Sequence, residues 1–185
     1  MSYKIFTINP GSTSTKIALF EDDECLFSTN ITHDAEDLSQ FAEISEQLDY
    51  RKQTILEELK KAGLTLEGMD AFSGRAGGLV GLPSGVYPIN DILLSHAVVG
   101  FTVKHPATLG PQLAHAFAEE YGGKAFIVNP PDVDEFIDEA RMTGWKDVYR
   151  ESRVHALNQK EIGIRYAAAD GKKYEEMNLV ICHIG

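Results

Sequence analysis

Short apolar blocks with brief polar links open the chain. Ile5-Phe6-Thr7-Ile8 and Ile17-Ala18-Leu19-Phe20 are the first two, and a third follows near Leu26. They predict three strands, about 4–9, 15–21 and 25–31, joined as an antiparallel meander. The period then changes from two to that of a helix. Phe41, Ile44, Leu48, Ile55, Leu59 and Ala62 share one stripe. That spacing predicts one long helix, about 38–62, started by Asp37 or Ser39 and ended at Gly63. A strand over about 70–75 comes next. The segment 74–88 holds five glycines and two prolines and reads as loop. Helices are predicted over about 90–99 and 108–121, the second with Leu113, Phe117 and Tyr121 on one face. Ala125-Phe126-Ile127-Val128 reads as a buried strand. Helices near 132–142 and 154–169 and a last strand over 179–184 complete the pattern.

A meander followed by alternating helices and strands predicts an α/β fold. It is a mixed five-stranded sheet with helices on both faces. In open sheets of this kind ligands bind beyond the strand ends. Asn9, Arg75 and Asn129 each stand at the exit of a predicted strand, beside a turn containing Gly or Pro. If those strands are parallel neighbours, the three side chains converge on one crevice.

Composition narrows the function. The chain has 185 residues, a hydrophobic content of 43% and a net charge of −11. No basic excess exists to displace counterions, so nucleic acid and anionic membrane surfaces are disfavoured as partners. Small anions stay open, because local donors bind them. Cys25 and Cys182 lie in apolar stretches and read as buried thiols in a reducing compartment. No run approaches membrane-spanning length. No h-region follows Met1, so a cytoplasmic protein is expected.

The most specific motif is Ile8-Asn9-Pro10-Gly11-Ser12-Thr13-Ser14-Thr15-Lys16. Between two strands it gathers turn amides, hydroxyls and one ammonium, a set that suits a polyphosphate. A P-loop is excluded, since the second glycine is missing and β-type residues follow the lysine. An ordinary hairpin with a Ser/Thr tip remains the plain alternative. For Asn9 the plain alternative is a turn-tolerant residue, and for Arg75 an exposed salt bridge.

The motif resembles the first phosphate loop of the acetate/butyrate kinase family, with the butyrate kinase branch the nearer. The likeness continues through Phe41–Lys52, Gly74-Arg75, His105-Pro106-Ala107, Ala125–Val128, Val133-Asp134-Glu135, His155–Lys160 and Tyr174–Leu179. It implies an actin-like ATPase (ribonuclease H-like) fold and reversible phosphoryl transfer between ATP and a short-chain fatty acid, butyrate foremost. ATP or ADP is then the co-substrate and Mg²⁺ the cofactor. By the same resemblance Asn9 helps hold Mg²⁺. Gly11, Ser12, Thr13, Ser14, Thr15 and Lys16 approach the nucleotide phosphates. Arg75 binds the carboxylate and the transferring phosphoryl. His105 lies near the acyl group, and His155 faces the phosphoryl. Val86, Pro88 and Phe101 are guesses for an acyl-lining wall. His33, His96 and His115 match nothing functional.

Two positions depart from the family. Asn129 stands where it has a catalytic aspartate, with Asp132 one turn on as a substitute charge. Thr108 stands where it usually has Asn. A second phosphate motif begins at His183 and reaches Gly185. The expected organisation is therefore an N-terminal domain over 1–177, with 178–185 as the first strand of a second domain. The full enzyme would be a homo-oligomer, and this half alone inactive. The alternative is a complete, non-catalytic module of the same fold that binds a carboxylate or phosphate or serves as an interaction module.

Overall fold

The computed structural model describes residues 2–79 and 81–184. They form two compact units, residues 2–79 with 86–128, and 81–85 with 129–184.

The first unit holds one mixed sheet. Its strands are β1 (Lys4–Pro10), β2 (Ser14–Glu21), β3 (Glu24–Thr32), β4 (Ala71–Gly74), β5 (Val86–Pro88) and β6 (Lys124–Val128), in the order β3-β2-β1-β4-β6-β5. The meander β1-β2-β3 is antiparallel, as its short links require. β1, β4 and β6 are parallel neighbours. The expected five-stranded sheet has six strands, because β5 rises from the segment read as loop. It pairs with β6 at the sheet edge, where Pro88 is tolerated since an outer strand needs no donor there.

Five helical segments were too generously joined or extended by the sequence pattern at two places. The predicted helix 38–62 is α1 (Ala35–Ser39), a 3₁₀ turn (Ile44–Gln47) and α2 (Leu48–Lys61). Asp34, not Asp37 or Ser39, caps α1 by accepting from the Glu36 amide. Glu46 then takes the amides of Ala42 and Glu43 and starts the chain anew. Helices α3 (Asp91–Val99) and α4 (Leu109–Tyr121) follow the prediction. The helix expected near 132–142 shrinks to α5 (Asp138–Arg141). Upstream of it Val133 is held extended against Leu82, and Asp134 spends its carboxylate on the Phe136 amide and the Arg141 fork.

Helices α2 and α4 pack on one face of the sheet. Phe6 and Ile8 of β1, Ile17 of β2, Phe72 of β4, Ile55 and Leu59 of α2, and Leu113 and Phe117 of α4 make the core. Residues of opposite parity on β1, Ile5 and Thr7, are only half-buried.

In the second unit α6 (Ala156–Ala169) matches the prediction. The expected strand 179–184 is not one. Met177, Leu179 and Ile181 are half-buried and the residues between them exposed, so the alternation of an extended segment is present. Ile181 and Tyr174 lie against Gly163 of α6. Among the described residues no ladder takes up its backbone groups, and an extended segment becomes a strand only through such a partner. Both cysteines are exposed, against expectation. Cys25 lies in β3, at the end of the sheet order, and Cys182 falls on the open parity of the terminal segment. Among the described residues no helix is long and apolar enough to cross a membrane.

Candidate active site

In the first unit the ends of β1 and β4 bring the predicted residues together. Asn9 and Lys16 are cross-strand partners in the β1–β2 ladder, and both are exposed. The Arg75 amide extends the β1–β4 ladder by donating to the Ile8 carbonyl. Its Nη1 then donates to Asn9 Oδ1 at 3.3 Å. A guanidinium, an ammonium and a carboxamide thus share one end of two adjacent parallel strands.

The glycines around Arg75 let backbone meet backbone. A Cβ on Gly74 would overlap the backbone of Gly110, and one on Gly110 would overlap the backbone of Arg75. Gly77 and Gly78 abut Ala107 and Val103. Glycine is needed here so that the end of β4 can touch the start of α4. His105 stands just before that start. Its Nδ1 accepts from the Ala107 amide at 3.0 Å, so the neutral ring carries its proton on Nε2 and offers a donor there.

The loop 11–16 turns sharply, with the Gly11 amide donating to the Ser14 carbonyl at 2.7 Å. Ser12 and Thr13 are exposed and Ser14 half-buried. Thr15 corrects the expectation. It is fully buried, and its hydroxyl meets His33 Nε2 at 2.7 Å and Arg51 Nη1 at 3.0 Å. Strand parity sends Thr15 inward and Lys16 outward. Thr15 therefore has no hydroxyl to give a phosphate. Arg51 went unnoticed in the sequence, although an arginine at the i, i+4, i+8 spacing of Ile55 and Leu59 is a visible anomaly.

The proposed acyl wall is not a closed surface. Val86 and Phe101 are exposed, Pro88 is exposed, and Phe101 stacks on His96 with centroids 4.6 Å apart.

The second unit carries its own set. Asn129 adopts a left-handed conformation (φ 38°) that asparagine tolerates better than most residues. Its Oδ1 accepts from the Gly85 amide at 2.8 Å, and its own amide donates to the Gly85 carbonyl at 3.0 Å. Asp132 is buried and receives Arg153 Nη1 at 3.3 Å. His155 caps α6 from a left-handed conformation (φ 50°) and is exposed. Its Nδ1 lies 3.4 Å from His183 Nε2, and His183 Nδ1 lies 3.0 Å from Asn158 Oδ1. The Asn158 oxygen can only accept, so the proton order is fixed from that end. His183 donates from Nδ1 and accepts at Nε2, and His155 donates from Nδ1. A proton on His155 Nε2 then makes that ring an imidazolium. Gly185 lies outside the described residues.

A cavity of about 240 Å³ in this unit is lined by Glu135, Phe136, Lys160, Leu179 and Ile181 among others. Its charges are spent on each other. Lys160 Nζ is 2.6 Å from Glu135, and that bond, with the one from Ser84, holds the Glu135 carboxyl down at about 2.

No protein-family model matches the chain. Individual proteins do. It is 40% identical over 185 residues to butyrate kinase 2 of Clostridium acetobutylicum, covering 100% of this chain and 52% of that protein. It is 43% identical over 182 residues to a probable butyrate kinase of Phocaeicola vulgatus, covering 98% and 51%. Along its whole length, the chain is similar in sequence to butyrate kinases. It spans about half the length of these curated relatives. Among solved structures, Porphyromonas gingivalis acetate kinase aligns with a TM-score of 0.62 at 16% identity, over 94% of this chain and 50% of that one. A Francisella tularensis propionate kinase gives 0.55 at 12% identity, over 92% and 50%. At such identities the likeness concerns the fold, which is the α/β, actin-like ATPase architecture. For a butyrate kinase relative, the metal-binding side is sparse. Among the described residues no group of three or more His, Cys, Asp or Glu side chains is placed to hold an ion. The Asn9 oxygen already faces a guanidinium, so these residues do not fit a metal held by the chain itself.

Proposed function

We propose that this chain supplies the carboxylate- and phosphate-gripping half of a butyrate kinase, which reversibly transfers the γ-phosphoryl of ATP to butyrate or a related short-chain acid. The observation that carries the reading is the meeting of Arg75 and Asn9 at the parallel strand ends, with Lys16 paired to Asn9.

Both reactants are anions, and phosphoryl transfer needs positioning and charge neutralisation more than bonding from the protein. The planar Arg75 fork would grip a carboxylate in paired bonds that lysine cannot reproduce. Lys16 and the amides of Thr13 and Ser14 would face the nucleotide phosphates. His105 would donate from Nε2 toward the acyl carboxyl. His155 would donate to a phosphoryl oxygen from Nε2, which requires the imidazolium, with His183 and Asn158 orienting its ring through Nδ1. Asn129 serves as a loop tie to Gly85 more than as a base. Mg²⁺ would enter with the nucleotide, as its phosphate counter-ion. A cytoplasmic location and self-association are part of the same proposal. So is a second domain beginning at Asn178, as the greater length of the relatives suggests. The non-catalytic alternative is the weaker one, given identity to kinases along the whole chain.

The test is acyl hydroxamate formation from ATP, butyrate and hydroxylamine. The chain continued to the length of its relatives is expected to turn over, and these 185 residues alone to give none. Arg75→Lys in the longer protein should lower kcat/KM by on the order of 100-fold. Full activity in that variant would sink the carboxylate role.

A further inference from the structure

We infer that Arg51 is the positioning residue of the phosphate loop: from the core side it sets which way the loop peptides point, and so whether the loop presents donors to an anion. This rests on the reading of residues 11–16 as a phosphate site and adds a residue that contacts no ligand.

Arg51 is fully buried on α2. Its Nε and Nη2 donate to Gln47 Oε1 at 3.1 and 3.0 Å. Nη2 also donates to the Ser12 carbonyl at 3.1 Å, and Nη1 to the Ser14 carbonyl at 3.1 Å and to Thr15 Oγ1 at 3.0 Å. Every acceptor is neutral. Among the described residues this buried cation has no carboxylate partner, an arrangement that is costly unless something else is gained.

The gain is visible in the loop. The Thr13 carbonyl is also taken, by the His33 amide at 2.9 Å. Three consecutive carbonyls, 12 to 14, are thus each engaged, and Ser14 also takes the Gly11 amide. In a trans peptide the C=O of one residue and the N–H of the next point in opposite directions. Holding the carbonyls of Ser12 and Thr13 therefore directs the amides of Thr13 and Ser14 away from those partners, while Thr15, opposite Ile31, keeps its amide in the β2–β3 ladder. The Ser12 and Ser14 carbonyls face the guanidinium and the Thr13 carbonyl faces the His33 amide, so the Thr13 and Ser14 amides are left pointing away from these partners. Such successive amides form an anion-binding surface. The Thr15 hydroxyl accepts from Arg51 and so donates to His33 Nε2, which locks the rear of the turn to β3's end. Lysine cannot replace this fork, because one ammonium cannot span two carbonyls, a hydroxyl and an amide in a plane.

The test uses the purified chain, its backbone amides followed by NMR with and without tripolyphosphate as probe. In Arg51→Lys, folded by circular dichroism, the ligand-free resonances of residues 12–15 should move while those of β4 and β6 stay. Tripolyphosphate affinity should fall about tenfold or more. Lys16→Ala should weaken binding without moving the ligand-free amides. Gln47→Leu, which removes the anchor but keeps the cation, is the second variant should Arg51→Lys not fold, and it should move the same amides. Loop resonances unchanged in either folded variant overturn the inference. Wild-type amides that ignore tripolyphosphate would instead overturn the phosphate reading, while the displaced loop of the variants would still mark Arg51 as its organiser.

Discussion

His33 stays neutral because of its surroundings. Burial first, and then the charge of Arg51, lower its pKa from 6.5 to about 4. Its Nε2 accepts from Thr15, and its Nδ1 has no partner among the described residues. Between about pH 6.5 and 4 the unfolded chain binds a proton here that the folded chain refuses, so stability must fall as pH drops through that window. Urea unfolding from pH 7 to 5 should show this slope, and a His33→Gln variant should flatten it. An identical slope in the variant would place the sensitivity elsewhere. In the sequence this residue matches no functional position and has a surface or packing role as its default, while Thr15 reads as a ligand to phosphate. The pattern of strand residues already put Thr15 on the Ile17 face, so its inward turn was legible. What it would meet there was not, since His33 and Arg51 arrive from other elements.

The elements that sequence placed well are those with a single period and clean ends, such as β1, β2, α4 and α6. The long predicted helix failed because its stripe crosses a break that only the Glu46 cap reveals. β5 was hidden by the glycines and prolines around it. The glycines themselves carry a packing message. Gly74 and Gly110 are 36 positions apart in sequence and show no local reason to be small, yet each leaves room for the other's strand or helix. Gly110→Ala should therefore cost about 3 kcal/mol or more of stability, as overpacking against backbone that cannot retreat. Chemical denaturation measures it. A loss below about 0.5 kcal/mol, the size of an ordinary surface change, would show that the contact is loose.

At the scale of the molecule, a six-stranded sheet and a smaller helical unit account for the described chain. The parallel adjacency of β1 and β4, which strand exits alone left as a condition, is what joins Asn9 to Arg75. The terminal segment was read as a strand because apolar alternation is there; pairing is a property of neighbours, which no local pattern encodes. Amides of 178–184 should accordingly exchange with solvent within seconds in this chain, while those of β1 and β4 persist, as hydrogen-exchange mass spectrometry would register. Protection of 178–184 would mean that a partner strand has been overlooked. The abutment of Gly74 on Gly110 has one more consequence. Arg75 leaves β4 directly after that junction, and the His105 turn runs directly into it from the other side. With no slack between them, whatever tugs the histidine tows the arginine too, so that a substrate seated at one end would tension its own grip at the other.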